Sequence, residues 1–170
     1  HRLYTVGDVQ RIRDILRWTA NGLSVSKVGD LLAAQSEASA QQHSAFDDWR
    51  AAVVRATKAF DGPALEGIHG QLFTLLPKAT VLREVLMPVW HDLASGKAPG
   101  QRSQWVFLDT FLRARLLLRL QVNQVDAPQV LLAGSEGQAE LSVLCAGLLL
   151  SSELQRIDVL GCGQPLEELP

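Results

Sequence analysis

Apolar residues recur at helical spacing from the first residues of the chain onward. Thr5 is a suitable N-cap for a first amphipathic helix, and Asn21-Gly22 supplies its stop signal. Ser24 is placed to cap a second helix directly afterwards. The apolar positions that define this pair are Val9, Ile12, Ile15 and Leu16, then Val25, Val28, Leu31 and Leu32. The pattern predicts a short helical hairpin.

The stretch from Ala33 to Gln42 interrupts this periodicity. It is rich in Ala, Ser and Gln and has little to bury, which is typical of a linker or a helix extension. We therefore expect three regions: residues 1–34, a helical region over residues 35–125, and a third region over residues 126–170.

The middle region carries four amphipathic patterns, which predict a four-helix bundle. The first surrounds Phe46 to Phe60, and Asp61 can cap the second, which has Pro63 in its first turn and ends at Pro77. The third runs from about Thr80 to Ala94, with a kink expected at Pro88 because proline lacks an amide donor. After a polar loop from Ser95 to Ser103, the fourth runs from about Gln104 to Asn123.

The apolar period changes after Pro128. Val130 to Ala133 form a short continuous apolar run, which predicts a buried parallel strand. A glycine-bounded turn, a helix from about Gln138 to Glu153 and a second strand from Ile157 to Leu160 complete one βαβ unit. The expected fold class is mainly α with a C-terminal α/β unit. Two strands are too few for a doubly wound sheet, so we expect the remaining strands beyond Pro170 or in a partner.

Charge and cysteine usage narrow the class of protein. The net charge is -2 and the pI about 6.1, but residues 1–32 carry five basic and three acidic side chains, so the basic residues concentrate there. Two isolated cysteines fit neither a disulfide framework nor a zinc site, and the longest apolar run is too short to span a bilayer. We expect a cytoplasmic protein without a membrane anchor or a metal. Because the chain opens on His1 without an initiator Met, we interpret it as a fragment.

The first thirty residues resemble the MerR family of transcription regulators. The resemblance rests on five runs in a fixed order: Arg2-Leu3-Tyr4, Asp8-Val9, Arg11-Ile12-Arg13, Asn21-Gly22-Leu23-Ser24-Val25 and Leu31-Leu32. It implies the tail of a winged-helix DNA-binding domain, with its helix-turn-helix lying before His1. It also implies promoter DNA as the partner, a dimer or tetramer, and phosphate contacts by Arg2 and Tyr4, which position a protein without reading sequence.

Two further arginines are candidate DNA contacts. Arg13 and Arg17 lie four residues apart, which puts them on one face of the predicted first helix. The alternative interpretation is a solvated face paired with Asp8 and Asp14.

The order of a helical bundle followed by a βαβ unit resembles the cobalamin-dependent, light-sensing MerR repressors, including their Pro and Trp at Pro88 and Trp90. Gln104-Trp105 stands where that family has Glu-His over the cofactor. Ala139 stands where it has the cobalt-ligating His. The chain is therefore more similar to degenerate MerR regulators of the kind that activate curli and biofilm-matrix genes in enterobacteria. We expect no cofactor, with cobalamin disfavoured.

Several residues are candidates for contact with a ligand between the bundle and the α/β unit, a usual place for effectors. The first group is Trp90, His91, Gln104 and Trp105, for which burial in the core is the alternative. The second is the turn at Gly134-Ser135, whose amides suit an anion. Gly161 follows the second strand at the same sheet edge. An ordinary tight βα turn is the simpler interpretation of Gly134-Ser135.

The sequence contains no catalytic constellation, so we do not expect an enzyme. The four histidines are scattered, and neither an HExxH nor a Ser-His-Asp pattern occurs. Two alternatives to a DNA-binding regulator remain: a cobalamin-binding photosensor or corrinoid carrier, and a protein-interaction module that binds a signalling protein without a small ligand.

Overall fold

The computed structural model describes residues 12–13, 15–16, 45–122, 129–152 and 155–165. The chain divides into two compact units, residues 1–46 and 47–170. In the first unit, residues 12–13 and 15–16 are helical, as the periodicity predicts. The second predicted helix and the predicted linker lie outside the described residues, as do the rest of the expected winged-helix tail and its Arg2, Tyr4 and Arg17.

Four helices precede the strands in the second unit. Helix α1 covers residues 45–58, α2 covers Gly62–Leu75, and α3 covers residues 78–95, with a π-helical segment at Val81–Leu86. Helix α4 is Gln101–Val122. The α/β unit consists of β1 Gln129–Ala133, α5 Glu140–Leu150 and β2 Arg156–Leu160. The expected class, mainly α with a C-terminal α/β unit, is confirmed.

Helix α1 ends at Lys58, two residues before the predicted end of the helix at Phe60, and is followed by the predicted Asp61-Gly62 stop. Phe60 takes the left-handed conformation at φ 52°, which is uncommon for a residue with a side chain. The amide of Asp61 donates to the carbonyl of Ala56 at 3.0 Å, and that of Phe60 to Thr57 at 3.1 Å, which together form a Schellman motif. The Phe60 ring packs edge-on against Phe107 of α4 at 5.3 Å between centroids. This contact helps to hold the strained residue in place.

Asp61 caps α2, as the sequence predicts: its Oδ1 accepts a hydrogen bond from the Ala64 amide at 2.9 Å. Asp61→Ala leaves that amide without its side-chain partner, so we expect the free energy of unfolding to fall by about 1 kcal/mol. Urea denaturation followed by circular dichroism measures this. Asp61→Asn keeps an acceptor oxygen and is expected to lie much closer to the wild type; equal losses in both variants would contradict the capping role.

Helix α3 is irregular just before Pro88, where the sequence predicts a kink. The irregular segment is the π-helical turn at Val81–Leu86, and α-helical geometry resumes at Met87. Pro88 has no amide hydrogen to give the carbonyl of Glu84 four residues before it. Arg50 of α1 donates to that carbonyl through Nε at 2.5 Å. A side chain from a neighbouring helix thus supplies the hydrogen bond that proline cannot.

Helix α4 begins three residues earlier than predicted, because the chain turns within residues 96–100. Gly100 has φ 80°, which glycine adopts without strain. Gln101 then secures the turn: its Oε1 accepts from the Ala98 amide at 3.2 Å, and its Nε2 donates to the Asp92 carbonyl at 3.1 Å. The predicted loop up to Ser103 is therefore too long.

The core of the helical region is aliphatic and drawn from all four helices. Its least accessible large side chains include Val53 of α1, Leu72 of α2, Val81 and Val85 of α3, and Leu108, Leu112 and Leu116 of α4. In α4 the spacing of four along these leucines places them on one stripe, which explains why a helix with several arginines still buries one full side.

The βαβ unit is present as the change of period predicts. Strands β1 and β2 pair in parallel, with Val130 opposite Ile157 and Leu132 opposite Val159. Helix α5 begins at Glu140, two residues later than expected, because Gly137 takes φ 80° and Gln138 closes the turn with its backbone and side chain. Helix α5 also packs along α4, which joins the unit to the helical region.

Candidate functional site

Two tryptophans predicted to contact a ligand lie side by side on α3 and α4. Trp90 is buried, and its ring centroid is 5.6 Å from that of Trp105. The indole Nε1 of Trp90 donates to Oδ1 of Asp109 at 2.9 Å. The pair is therefore fixed in orientation by a charge-assisted hydrogen bond as well as by packing.

Arg113 connects this tryptophan pair to the α/β unit. Its Nε lies 3.0 Å from Oδ2 of Asp109, one turn earlier on α4, and its Nη1 donates to Oε2 of Glu140 at 2.6 Å. The hydrogen bond to Glu140 is the main cause of a raised pKa for the Arg113 guanidinium. A chain of polar contacts thus runs from Trp90 through Asp109 and Arg113 to the first residue of α5.

Removing Arg113 is expected to have a small effect on stability, because the guanidinium is partly exposed and its ion pairs are screened by solvent. We expect Arg113→Gln to lower the free energy of unfolding by at most about 1 kcal/mol. The same change at Arg83, 77% exposed, is the control and is expected to be near neutral. Thermal unfolding at low and high salt checks this, since the difference between the variants should shrink as salt rises. A salt-independent difference would contradict an electrostatic role.

A cleft of about 210 Å³ opens beside these residues. Its walls include both tryptophans, Asp109, Arg113 and the start of α5 at Ala139 and Glu140. The structure thus brings Trp90 and Trp105 together with Ala139, the position that corresponds to the cobalt-ligating His in the resemblance. Folding, rather than sequence proximity, assembles this set.

This cleft does not fit a corrin macrocycle as it stands. Drug-sized ligands occupy pockets of roughly 300–1,000 Å³, and a corrinoid is larger than most of them. The Arg113–Glu140 contact crosses the space between α4 and α5, and the methyl group of Ala139 offers no ligand to cobalt. Binding of cobalamin here would require the ion pair to break and α5 to separate from α4.

The other predicted ligand residues lie outside the lining of this cleft. His91 is exposed, with its ring 5.0 Å from that of Trp90, and Gln104 is half-buried near the start of α4. Gly161 lines a different cleft, on the side of α4 that carries Thr110 and Leu117. Neither His91, Gln104 nor Gly161 is among the residues lining the tryptophan cleft.

The turn at Gly134-Ser135 is closed by its own side chains. The Ser135 amide donates to Oε1 of Gln138 at 3.2 Å, and the Gly134 carbonyl accepts from the Gly163 amide at 3.2 Å. A Cβ at Gly134 would lie 2.6 Å from Sγ of Cys162 and 2.7 Å from a methyl group of Val143. These contacts favour the simpler interpretation, a tight βα turn in which glycine is needed for close packing.

The arrangement of metal-ligating residue types and the environment of the Cys145 thiol are both defined within the described residues. In that part of the chain, no cluster of three or more His, Cys, Asp or Glu side chains is arranged to hold a metal ion. Burial raises the pKa of the Cys145 thiol to about 11, so it stays protonated at neutral pH, 3.7 Å from the sulfur of Met87. None of the helices described is both long and apolar enough to cross a membrane.

Arg13 is the one predicted DNA contact within the described residues, and its side chain is exposed on a helical segment. Exposure leaves it free to reach a phosphate, and it equally suits a solvated surface residue.

Comparison with known proteins gives one informative similarity. No family profile matches the chain. Over 183 aligned residues it is 27% identical to the HTH-type transcriptional repressor CarH of Myxococcus xanthus. The alignment covers 99% of this chain and 61% of that protein, so the chain spans about three fifths of the relative's length. The chain is thus similar to a transcription regulator, the class that its N-terminal residues predict.

Sequence reasoning overlooked a second group of functional candidates: His69 of α2 and Arg115 and Arg119 of α4, which line a separate cavity. The signal that could have indicated them is a polar residue inside each apolar pattern. His69 interrupts the buried stripe of α2, and two arginines four residues apart stand within the leucine-rich run of α4.

Proposed function

We propose that this chain is the sensing and assembly portion of a MerR-type transcription regulator that acts on promoter DNA in the cytoplasm. The observation that carries the proposal is the similarity to a transcriptional repressor over 99% of the chain. The helical region followed by a βαβ unit, and the N-terminal runs of residues that resemble the MerR family, support the same class. No enzymatic step is part of the proposal.

In this proposal the first thirty residues belong to the DNA-binding domain, and the remainder acts as a dimer or tetramer that responds to an effector or a protein partner. MerR-type regulation by bending or untwisting promoter DNA requires two DNA-binding domains held at a fixed separation. The N-terminal resemblance to the curli and biofilm activators leads us to propose surface-matrix or stress genes as targets.

The test is capture of DNA by the protein in its full natural length. Sheared genomic DNA is incubated with the purified protein, and retained fragments are sequenced at two salt concentrations. We expect a few promoter regions to be enriched, with an affinity that falls steeply as salt rises, because phosphate contacts release counterions. Retention without preference for any fragment would refute the proposal.

A pair of arginine variants tests whether Arg13 contributes to DNA binding in that experiment. Arg13→Gln removes a proposed phosphate contact and is expected to weaken binding to all captured fragments alike, with a shallower dependence on salt. Arg83→Gln removes the same charge from an exposed position on α3 and is expected to bind as the wild type does. Equal affinities for both variants would remove Arg13 from the interface without affecting the proposed class.

A cobalamin-dependent regulator is the second candidate. The observation in its favour is that Trp90 and Trp105 face the start of α5, where the resemblance implies a cofactor beneath the bundle. The small cleft and Ala139 count against it. Gel filtration of the protein mixed with adenosylcobalamin in the dark separates the two candidates: co-elution of the visible absorbance would establish the second.

A further inference from the structure

A second, larger cavity lies away from the tryptophan cleft. It encloses about 380 Å³ between α2, α4 and α5. Its walls include His69, Phe73, Arg115, Arg119 and Leu148, and it shares no lining residue with the tryptophan cleft. Its volume falls within the range of roughly 300–1,000 Å³ that small-molecule sites occupy.

The charges around this cavity are mainly positive. Lys78, Arg115 and Arg119 line it, against the single carboxylate of Glu66. Glu66 pairs with Arg115, with Oε2 and Nε 2.6 Å apart, and Lys78 is held at the end of α5 by the backbone and side-chain oxygens of Ser151. In the described part of the chain, Arg119 has no carboxylate within ion-pair distance.

Arg119 is held in place without an anion. Its guanidinium carbon lies 4.0 Å from the centre of the Phe73 ring, a cation–π contact that fixes the side chain against the cavity wall. Burial lowers the pKa of the guanidinium. Its Nε is buried and has no hydrogen-bond partner among the described residues. A buried donor of this kind costs stability unless a bound group satisfies it.

His69 presents a second unsatisfied group at the same place. The side chain is only 5% exposed, and its Nε2 finds no hydrogen-bond partner within the described ranges. Burial, together with the positive charges of Arg119 and Arg115, lowers the pKa of His69 to about 4. The imidazole is therefore neutral at pH 7 and able to donate one hydrogen bond.

We propose that this cavity binds a small organic anion, a carboxylate or phosphate monoester attached to an apolar group. The anionic oxygens accept hydrogen bonds from the guanidinium of Arg119 and from Nε2 of His69, which satisfies both buried donors. Phe73 and Leu148 contact the apolar group. A negative charge here also offsets the local excess of arginine, which an apolar or cationic ligand would not do.

A ligand in this cavity contacts both the helical region and the α/β unit. Arg119 and His69 belong to the helical region, whereas Leu148 belongs to α5 of the α/β unit. A bound anion contacts both and is expected to stabilise the packing of α5 against α4, because ligand binding to the folded state raises its stability.

The test is a calorimetric titration with four probes: benzoate, phenyl phosphate, inorganic phosphate and benzyl alcohol. We expect one or both aromatic anions to bind more tightly than inorganic phosphate, and benzyl alcohol not to bind. The stronger of benzoate and phenyl phosphate identifies the preferred anion. Binding of benzyl alcohol as tight as that of the anions, or no binding of either aromatic anion at millimolar concentration, would overturn the proposal.

Arginine variants assign the binding to this cavity. Arg119→Gln is expected to weaken aromatic-anion binding at least tenfold, with partial recovery in Arg119→Lys, which restores the charge but not the planar donors. Arg83→Gln, on the exposed side of α3, is the control and is expected to bind as the wild type does. If Arg119→Gln unfolds, His69→Phe, which removes the other proposed donor, takes its place. Unchanged affinity in a folded Arg119→Gln or His69→Phe variant would show that the anion binds elsewhere.

Histidine NMR gives an independent readout. The ring signals of His69 should shift when the preferred anion binds, and its pKa should rise from about 4, because a nearby negative charge favours the protonated imidazole. An unchanged His69 titration in the presence of saturating anion would contradict the proposed hydrogen bond.

Discussion

Gly147→Val is expected to lower the free energy of unfolding by about 1–3 kcal/mol, because the change overpacks the point where α5 meets both β2 and α4. A Cβ at Gly147 would lie 2.7 Å from Cγ2 of Val159 and 3.5 Å from Cδ1 of Leu120. Val159 is a β-branched strand residue with little rotamer freedom, so its methyl group cannot simply turn away. Either α5 or β2 must therefore shift to accommodate the valine side chain.

A matched glycine in α2 gives the opposite expectation. Gly67 is exposed within the helix, and a Cβ there would meet no atom within 4 Å. Gly67→Ala should therefore raise the free energy of unfolding by about 0.5–1 kcal/mol, since alanine restricts the unfolded chain and favours the helix. Urea denaturation of both variants and of Gly147→Ala checks this pair. Stabilisation by Gly147→Ala would mean that α5 does not approach β2 as closely as the structure has it.

Most of the helices and both strands followed from periodicity, because burial of one face imposes a period of 3.6 on a helix and a continuous apolar run on a buried parallel strand. The cap at Asp61 followed from local chemistry alone. Each of these features depends on residues that are close together in the sequence, which is the information a single sequence carries most directly.

The features that the sequence did not predict depend on contacts between distant residues. The hydrogen bond from Arg50 to the Glu84 carbonyl spans 34 positions, and it gives that carbonyl the donor that Pro88 lacks. Likewise, nothing local indicates that Gln101 begins a helix and at the same time reaches back to Asp92. Such side-chain to backbone contacts form only after the helices have packed.

The two candidate sites also differ in how far the sequence alone could predict them. The sequence pointed to Trp90 and Trp105 because a resemblance singled them out, and the structure places them beside Ala139 in one cleft. It did not point to His69, Arg115 and Arg119, since a histidine in one helix and two arginines in another have no local pattern in common. Their meeting in one cavity is a property of the packed helices.

The histidine of that cavity should make stability depend on pH between about 4 and 6.5. In the unfolded chain His69 takes up a proton near its ordinary pKa of 6.5, whereas in the folded chain its pKa is about 4. Between these values the unfolded state binds more protons, so the free energy of unfolding falls as the pH is lowered. The stabilising contribution is fully present above pH 6.5 and is lost at about pH 4. The difference of about 2.5 pKa units corresponds to roughly 2–3 kcal/mol after allowance for solvent near the cavity mouth.

Comparison with a variant isolates this contribution from the titration of carboxylates in the same range. His69→Gln keeps a polar side chain without a titratable group. The difference in the free energy of unfolding between wild type and variant should therefore change by roughly 2–3 kcal/mol between pH 7 and pH 4. His91→Gln, at an exposed position on α3, is the control and should follow the wild type throughout. Urea denaturation at half-unit pH steps provides the data.

The charged groups that line the His69 cavity are Glu66, Lys78, Arg115 and Arg119, and three of these four are cations that oppose protonation of the ring. Parallel stability curves for wild type and His69→Gln would therefore mean that the imidazole is hydrated or hydrogen-bonded in the folded chain, in contrast to the buried Nε2 without a partner that the structure describes.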